Sequence, residues 1–517
     1  MRTPLSEQCH KKKEFIVLRR FISFLATCVA LELFSGCVFV SERSEGDRQQ
    51  AYNVLFIISD DLSATALSCY GSKVCQTPHI DSLAAQGTLF SRAYCQFPVC
   101  GPSRVSLMFG YYPHGTNVHG WRSSGREIFG DRASWPQHFM QSGYHTARVS
   151  KIYHMGVPPH IETGSHGPDD KQSWNERYNS KGPEWRASGH GETLENNLDG
   201  KKPVMGGYKF VVVEADGDDM VHSDGKTSEK ACELLRKYNK EKKKFWLGVG
   251  FVRPHVPFVA PRKYFEPYVY DDMVLPKKVK HDWDDIPLAG INYKTSKGAE
   301  FDIRRQKKVM GAYFASVSFM DAQVGKLLKT LKDEGLEDNT IVIMTSDHGY
   351  HLGEHDFWAK LGLHEESARV PLIIKVPGKK AAVCNSFVEL VDLYPTISEV
   401  CGLSVPERIQ GKSLAKALDD PEYSVRDMAF SVNVGYKFRS PVVRRGDGML
   451  LRSDRWAYIQ YGDKAENGIE LFDMHKDPKQ YTNLAKDPKY KNIVGEFQKK
   501  LAQKVIEARS SDVLKSQ

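Results

Sequence analysis

Ten cysteines occur among the 517 residues, but their spacing defines neither a zinc site nor a disulfide framework. Seven of them follow the first forty residues, so in an oxidising compartment six could pair and one would stay free. We leave the pairing open. The sequence also has no basic aromatic RNA motif and no internal repeats. These absences argue against a nucleic-acid partner and against a repeat array.

Charge of one sign is only slightly in excess. The formal net charge is +8, but residues 1–36 hold six Lys or Arg and three Asp or Glu, which leaves +5 for the remainder. This balance suits an anionic substrate, although a solvated surface of mixed charge is the simpler explanation. With 41% hydrophobic and 26% charged residues, the chain is globular, and its length predicts one large domain with a smaller one.

The first forty residues are typical of an export leader, because a basic stretch precedes an apolar run over 21–40. Small residues before Cys37 in "FSGC" resemble a bacterial lipoprotein processing site, which predicts a lipid anchor at Cys37. A retained signal anchor is the alternative, and Glu32 within the apolar run argues against it. We therefore predict a leader over 1–40 and an exported protein, which is periplasmic, an outer-surface lipoprotein or secreted.

Short apolar runs alternate with helical patterns after the leader. The runs "NVLFIISDD" (53–61), "FWLGVGF" (245–251), "NTIVIMTSDHG" (339–349) and "VPLIIKVPG" (370–378) are typical of strands buried on both faces. Helical spacing and end signals mark 77–87 and 307–335 as helices. This alternation predicts an α/β sheet covered by helices on both faces.

Two regions depart from that pattern. From His160 to about Asp224 the chain is polar and shows no periodicity, which indicates a long insertion, expected near the substrate entrance. After about Val405, segments 448–462 and 468–478 are typical of antiparallel strands, and a helix is expected near 490–509. We predict a catalytic domain over 50–424 and a smaller C-terminal subdomain over 425–517.

Acidic residues follow two of the predicted strands. Asp60 and Asp61 end the first, and Asp347 follows the run at 339. Ligands of open α/β sheets collect outside the carboxyl ends of the strands, so these carboxylates could converge. Clustered carboxylates need a cation, and oxygen ligands select a hard ion such as Ca²⁺ or Mg²⁺. The alternative is that each aspartate only caps a turn or helix.

The stretch "CGPSR" (100–104) is predicted to be a turn that leads into a helix, with Pro102 in its first turn. A cysteine at that position meets the positive end of the helix dipole and the guanidinium of Arg104, which favours its thiolate. The alternative is an inert, half-buried cysteine.

"CGPSR" resembles the sulfatase signature Cys-x-Pro-Ser-Arg, in which the cysteine is converted after synthesis into formylglycine. Other segments resemble sulfatases in the order of that family, over most of the chain after the leader. These are "SDD" (59–61), "GFVRPHVPF" (250–258), "YFASVSFMDAQVGKLL" (313–328), "SDHGYHLGEHDFWAK" (346–360) and "ELFDMHKDPKQYTNLA" (470–485). Within the family they are most similar to the iduronate-2-sulfatases.

The resemblance implies an alkaline phosphatase-like fold of the α/β class. A large mixed, mostly parallel sheet would lie between helices, and a smaller α+β subdomain would follow at the C-terminus. It also implies one Ca²⁺, held by Asp60, Asp61, Asp347, His348 and the residue formed from Cys100. Imidazole is an unusual ligand for so hard an ion. Asp347 would also accept the proton of the attacking hydroxyl.

Further catalytic roles are implied at matching positions. The formylglycine hydrate would offer one hydroxyl to attack sulfur and another to expel sulfate later. Arg104 and Lys151 would balance charge around the hydrate and the sulfate. His154 would be the base of the elimination step, while His255 and Lys360 would assist departure of the alcohol.

Each of these residues has a simpler interpretation when taken alone. His255 in "RPHVP" fits a solvated histidine in a rigid turn, and His154 fits the same description. Lys151 and Lys360 fit surface lysines. Only the joint presence of all segments in family order favours the catalytic interpretation. No role is assigned to three further histidines, His351, His355 and His364.

The chain departs from the family pattern after Arg104. Many relatives continue toward Leu-Thr-Gly-Arg, whereas this chain has Met108, Phe109, Gly110 and Tyr111. Phe109 and Tyr111 thus replace a hydroxyl and a cation. We expect this change to affect packing around Cys100 or recognition by the modifying enzyme.

Together these observations predict a sulfuric ester hydrolase that acts on a sulfated saccharide, with a 2-O-sulfated uronic acid as the implied substrate. Its implied partner is a formylglycine-generating enzyme. Two alternatives stay open: a phosphodiester or phosphonate hydrolase on the same fold, and a non-catalytic binder of sulfated polysaccharide in which Cys100 remains a thiol. The sequence determines neither exo or endo action nor the number of subunits.

Overall fold

The computed structural model describes residues 52–120, 123–195, 210–433 and 447–515. The predicted leader over 1–40, with Cys37, lies outside the described residues. Among the helices that are described, none is both long enough and apolar enough to span a membrane.

The strands are β1 (Asn53–Asp60), β2 (Thr88–Tyr94), β3 (His145–Ser150), β4 (Glu176–Tyr178), β5 (Gly189–Thr193), β6 (Val211–Ala215), β7 (Phe245–Pro254), β8 (Phe258–Pro261), β9 (Thr340–Ser346), β10 (His351–Leu352), β11 (Trp358–Ala359), β12 (Arg369–Val370), β13 (Leu372–Lys375), β14 (Ala382–Glu389), β15 (Met428–Asn433), β16 (Gly448–Ser453), β17 (Trp456–Tyr461) and β18 (Ile469–Asp473). The α-helices are α1 (Pro78–Ala84), α2 (Cys100–Phe109), α3 (Arg126–Phe129), α4 (Trp135–Gln141), α5 (Pro159–Thr163), α6 (Ser223–Lys240), α7 (Ser296–Ala299), α8 (Ile303–Asp333), α9 (Glu365–Ala368), α10 (Leu393–Val400), α11 (Ala415–Asp419), α12 (Lys491–Arg509) and α13 (Asp512–Lys515).

A nine-stranded sheet forms the centre of the molecule. Its order is β12-β2-β13-β9-β1-β7-β3-β4, and β14 pairs with β2. The pairs β1–β7, β1–β9, β3–β7, β3–β4 and β14–β2 are parallel. Strand β13 runs antiparallel to β2 and β9, and β12 runs antiparallel to β2. The predicted large mixed, mostly parallel sheet is confirmed.

Strand β1 shows why the sheet needs helices on both faces. Every residue of β1 is buried. Leu55 and Ile57 belong to a core that includes residues of α6 and α8, while Phe56 and Ile58 belong to a second core that includes residues of α2 and α4. Each fully buried side chain of this size contributes about 1.5–3 kcal/mol. A continuous apolar run is therefore the sequence that such a strand requires.

The inserted region from His160 to about Asp224 contains regular structure that its sequence does not show. Strand β4 extends the edge of the large sheet, and β5 and β6 form a three-stranded sheet with β8. These strands are only three to five residues long, which is too short to give a clear alternation of polar and apolar residues.

The C-terminal region carries a separate antiparallel sheet of four strands, β15 to β18. Helix α12 covers it, with Phe497 and Leu501 packed in one core with Leu451 and Leu471. The predicted C-terminal subdomain of strands and a terminal helix is confirmed in its architecture. The boundary at 424 stays a prediction.

All seven cysteines from Cys69 to Cys401 lie in the described ranges, and all are free thiols. The pairing that the sequence left open is therefore absent from these seven residues. Six of them are buried, and only Cys69 is partly exposed.

Candidate active site

The carboxyl ends of parallel strands carry the charged residues of the site. Asp60 is the last residue of β1, and Asp347 and Lys151 directly follow β9 and β3. His255 directly follows β7. Because these strands are parallel neighbours, their ends meet at one edge of the sheet. The backbone N–H of Asp61 donates to Asp347 Oδ1 at 3.3 Å, so the three aspartates do converge.

Cys100 lies beside this edge as the first residue of α2. Val99 before it has extended backbone angles, and every residue of α2 is buried. The Ser103 hydroxyl donates to the Asp347 carbonyl at 2.5 Å, which ties the first turn of α2 to the end of β9. Lys360 Nζ lies 3.6 Å from Cys100 Sγ. The helix start therefore presents the cysteine directly to the charged cluster.

Three cations form close ion pairs with three carboxylates around Cys100, and Arg104 Nη2 also lies 3.9 Å from Asp60 Oδ1. The pairs are Arg104–Asp347 (Nε to Oδ2, 2.8 Å), Lys360–Asp61 (Nζ to Oδ1, 2.5 Å) and Lys151–Asp60. All of these side chains are buried except that of Lys360, which is 14% exposed. Buried charges at this density are stable only when they are paired. The pairing thus fixes the position of each group.

Histidines flank Asp61 on two sides. His348 Nε2 is 3.3 Å from Asp61 Oδ1, and His255 Nε2 is 3.9 Å from Asp61 Oδ2. His154 has a buried Nδ1 without a hydrogen-bond partner. Burial, together with the charge of Lys151, lowers the pKa of His154 to about 3. The imidazole of His154 is therefore neutral at neutral pH.

Burial and neighbouring charges shift the pKa values of the acidic groups in different directions. Burial raises the pKa of Asp61 to about 7 in spite of Lys360. Burial also disfavours the Asp60 carboxylate, but Lys151 holds the pKa of Asp60 well below its usual value. Burial alone would raise the pKa of the Cys100 thiol, but Lys360 and Lys151 lower it to about 6. The thiolate of Cys100 is therefore favoured at neutral pH.

Two sets of side chains have ligand atoms within 4.8 Å of one another: Asp60, Cys100, Asp347 and His348, and Asp60, Asp61 and His255. The sequence placed Asp61 with Cys100, whereas the geometry places Asp61 in the second set. Asp60 belongs to both sets, so the two are contiguous. His255 is an added candidate ligand that the sequence did not indicate.

Unpaired buried atoms show that these residues fit a metal ion. Asp60 Oδ1, Asp61 Oδ2 and His348 Nε2 are buried and have no hydrogen-bond partner. Buried carboxylate oxygens without partners are costly unless a cation takes them, and a hard cation prefers them. Burial lowers the pKa of His348, but Asp347 outweighs burial and raises it to about 9.

The two residues that depart from the family pattern after Arg104 lie at the end of α2 and just after it. Phe109 stacks on Phe129 with ring centroids 4.1 Å apart, and the Tyr111 hydroxyl donates to Asp512 at 2.6 Å. Both side chains belong to the core on that face of the sheet. Phe109 and Tyr111 therefore pack the C-terminal end of α2, the helix that begins with Cys100, against the core.

Two residues that the sequence did not single out support the site. The Tyr313 hydroxyl donates to the Asp61 carbonyl at 2.7 Å and accepts from the Ser63 N–H at 2.8 Å. Asp61 has φ 67°, a left-handed conformation that needs such support. Arg253 donates from Nη1 to the His255 carbonyl at 2.6 Å. Tyr313 and Arg253 lie in segments that resemble the family. Their supporting roles depend on tertiary contacts, which the sequence alone does not reveal.

A buried cysteine with a favoured thiolate at a helix start, close to three cations and to unpaired carboxylate oxygens, is an arrangement that fits a hydrolase for anionic esters. The family model "Sulfatase" matches residues 52–403, and the model of the C-terminal region of N-sulphoglucosamine sulphohydrolase matches residues 353–507. The chain belongs to the sulfatase family, and it is a sulfatase, an enzyme that hydrolyses sulfate esters.

Curated relatives agree with this assignment. Human iduronate 2-sulfatase is 33% identical over 424 residues, which cover 74% of this chain and 74% of the relative. A sulfatase of Formosa agariphila is 30% identical over 464 residues, which cover 86% of this chain and 84% of the relative. The predicted similarity to iduronate-2-sulfatases is thus confirmed.

Solved structures share the fold at lower identity. A protein described as a 2-O GAG sulfatase has a TM-score of 0.67 and 24% identity, covering 90% of this chain and 94% of that one. The phosphonate monoester hydrolase of Agrobacterium radiobacter has a TM-score of 0.72 and 20% identity, covering 90% of this chain and 97% of that one. The predicted alkaline phosphatase-like fold is confirmed.

Proposed function

We propose that this sulfatase removes the O-sulfate of a sulfated saccharide, and that its substrate is a 2-O-sulfated uronic acid. The main support for this chemistry is the position of Cys100. Its Sγ lies 3.6 Å from Lys360 Nζ. It also lies within 4.8 Å of ligand atoms of Asp60, Asp347 and His348. The similarity to human iduronate 2-sulfatase supports the substrate.

Two groups complete the proposed site. Formylglycine, formed from Cys100 by a formylglycine-generating enzyme, would supply through its hydrate one hydroxyl to attack sulfur and a second to release sulfate. One Ca²⁺, held by Asp60, Asp61, Asp347 and His348, would polarise the sulfate oxygens. The buried unpaired oxygens of Asp60 and Asp61 support this ligand set.

The basic residues around Cys100 bind and orient the anionic sulfate. Arg104 and Lys151 are buried at the carboxyl edge of the sheet. Arg104 pairs with Asp347, and both cations lie within 4 Å of Asp60. Their charge balances that of the sulfate in a site from which water is excluded. Asp347, which accepts a hydrogen bond from Arg104 Nε, takes the proton of the attacking hydroxyl.

Proton transfer at the leaving alcohol and in the later release of sulfate is assigned to three other residues. Lys360 adjoins Cys100 and donates to the ester oxygen as the alcohol departs. His255 adjoins Asp61 and assists that departure. His154, neutral because of its burial, serves as the base when sulfate is released.

The chain outside the site adds three proposals. Residues 1–40 form an export leader, with lipidation at Cys37 in an outer-surface lipoprotein. Residues 50–424 form the catalytic domain, and 425–517 form the C-terminal subdomain. The inserted region from His160 to about Asp224 borders the substrate. In support, its Glu184 accepts a hydrogen bond from Arg253, which also donates to the His255 carbonyl.

Mass spectrometry of the peptide that contains Cys100 tests the chemistry, after expression with a formylglycine-generating enzyme. Conversion replaces sulfur with oxygen and removes two hydrogens, and the converted enzyme is expected to release sulfate from a 2-O-sulfated uronic acid. A protein that keeps its thiol under these conditions and only binds sulfated polysaccharide would refute the proposal. Faster turnover of a phosphonate or phosphodiester would instead identify the alternative hydrolase.

A further inference from the structure

The segment that carries Lys360 has an unusual backbone. Within residues 353–361, the Lys360 segment, Gly353, His355, Asp356, Ala359 and Leu361 all have φ between 57° and 112°. Four of these five are not glycine, and L-residues adopt this conformation only at a cost in free energy. Contacts elsewhere in the protein must therefore hold the Lys360 segment in place.

A histidine–carboxylate pair meets the segment on one side. His355 Nδ1 and Asp282 Oδ2 are 3.0 Å apart, and His355 is 3% exposed. The indole N–H of the neighbouring Trp283 donates to the His355 carbonyl at 2.7 Å. The left-handed residue His355 is thus fixed through its side chain and its backbone by the same turn, Asp282–Asp284.

A second pair fixes the chain directly after the segment. His364 Nε2 and Glu470 Oε2 are 3.0 Å apart, and both side chains are fully buried. The other oxygen of Glu470 accepts from the Tyr461 hydroxyl at 2.6 Å. Glu470 therefore anchors His364 to the four-stranded C-terminal sheet.

The two pairs are joined to each other. The rings of His355 and His364 stack with centroids 4.7 Å apart and an interplanar angle of 29°. The chain between them delivers Lys360 to Asp61 and Cys100, and the N–H of Leu361 donates to the Pro98 carbonyl at 3.3 Å. The turn at Asp282, the Lys360 segment and the C-terminal sheet are thus connected through two histidines.

We propose that the pairs His355–Asp282 and His364–Glu470 position Lys360 against Cys100, so that His355 and His364 are positioning residues for departure of the alcohol. The inference rests on the proposed role of Lys360 in that step. A misplacement of about 1 Å in a reacting group can cost about a hundredfold in rate, so loss of either pair is sufficient to slow the reaction.

The test compares two substrates with converted, Ca²⁺-supplied enzyme. One substrate is a 2-O-sulfated uronic acid, whose alcohol needs a proton to leave; the other is 4-nitrophenyl sulfate, whose phenolate leaves without help. His355→Ala and His364→Ala are each expected to lower kcat for the sugar sulfate by roughly ten- to a hundredfold. For the aryl sulfate, kcat is expected to change by less than about twofold.

A double-mutant cycle separates positioning from general damage. In a Lys360→Ala background, either histidine substitution is expected to change kcat for the sugar sulfate by less than about twofold, because the group it positions is gone. His355→Asn keeps a donor near Nδ1 and His364→Gln keeps one near Nε2, so these variants are expected to restore most of the rate. Equal losses with both substrates, or a full loss in the Lys360→Ala background, would overturn the proposal.

If the alanine variants do not fold, Asp282→Leu and Glu470→Met, which keep the bulk of the side chain but cannot accept a hydrogen bond from the histidine, replace them in the same cycle. Their loss is again expected for the sugar sulfate alone, and its absence would overturn the positioning role. A wild-type enzyme that releases sulfate from neither substrate refutes the proposed function itself. An active wild-type enzyme with variants that do not discriminate between substrates refutes only the positioning role.

Discussion

Strand ends and the Lys360 segment both deliver charged side chains to Cys100, but they do so by different means. Asp60 and Asp347 adjoin β1 and β9, which are paired in register over seven residues and buried throughout. Lys360 lies in a segment with five positive φ angles, held by side chains of distant residues. The carboxylates are therefore placed by the framework of the fold, whereas Lys360 is placed by a small number of polar contacts.

The largest expected effect concerns Cys100, which both regions surround with charged side chains. Cys100→Ala removes the proposed nucleophile, so sulfate release is expected to fall by at least about a thousandfold. Cys100 is a small buried residue, and the variant is expected to fold as the parent does. Sulfate release and circular dichroism measure the two outcomes. Cys232→Ala, a buried free thiol outside the site, is the control and should keep full activity. Residual turnover in Cys100→Ala above a few per cent would contradict the assignment.

A substitution in the framework is expected to cost stability and not rate. Ile57→Ala removes a side chain at the centre of β1, which is fully buried, so we expect a loss of about 2–5 kcal/mol in the free energy of unfolding. Urea denaturation measures it. The folded fraction should keep its kcat, since Ile57 packs in the apolar core with residues of α6 and α8. Ile506→Ala, where the side chain is 64% exposed, is the control and should change stability by less than about 0.5 kcal/mol.

This division between regions also explains what the sequence could predict. The apolar runs at 53 and 339 carry their own evidence for buried parallel strands, so the convergence of Asp60 and Asp347 followed from the topology alone. The placement of Lys360 could not be predicted from the topology, because no feature of the sequence indicates a positive φ at Ala359 or Leu361. For Lys360 the resemblance to the family was the only guide.

Tertiary contacts also decided which histidines matter. His355 and His364 have no spacing that separates them from other histidines, and their partners Asp282 and Glu470 lie 73 and 106 residues away along the chain. The short strands β5 and β6 escaped prediction for a related reason, since their pairing with β8 gives them order that their own residues do not. The local sequence pattern therefore predicted the sheet, but it could not predict polar contacts between residues that are distant along the chain.

A substitution of Tyr313 tests whether the framework supports the proposed metal site. Tyr313→Phe removes the hydroxyl that joins Asp61 O and Ser63 N–H, so the left-handed Asp61 loses its support. Loss of such hydrogen bonds costs about 1–2 kcal/mol, which we expect as a roughly five- to thirtyfold weaker binding of Ca²⁺ by calorimetry. The matched control is Tyr350→Phe. Tyr350 stacks on Tyr313, but its buried hydroxyl has no hydrogen-bond partner, so its removal should leave Ca²⁺ binding unchanged. Equal losses in both variants would show that ring packing, and not the hydroxyl, supports Asp61.

The smallest expected effect concerns the Lys360 segment itself. The indole N–H of Trp358 donates to Ser296 Oγ at 2.8 Å, and both residues are buried. Ser296→Ala leaves that N–H without a partner, so unfolding should become easier by about 1 kcal/mol in urea denaturation. Because Trp358 lies two residues before Lys360, we also expect kcat for a sugar sulfate to fall two- to fivefold. This corresponds to an increase of roughly 0.4–1 kcal/mol in activation free energy.

Ser142→Ala is the matched control, since its exposed hydroxyl also makes one hydrogen bond, at 2.9 Å to the His138 carbonyl. A Ser296→Ala enzyme that loses stability but keeps its full rate would show that Lys360 is held as firmly as the strand ends, and the difference between the two regions would disappear.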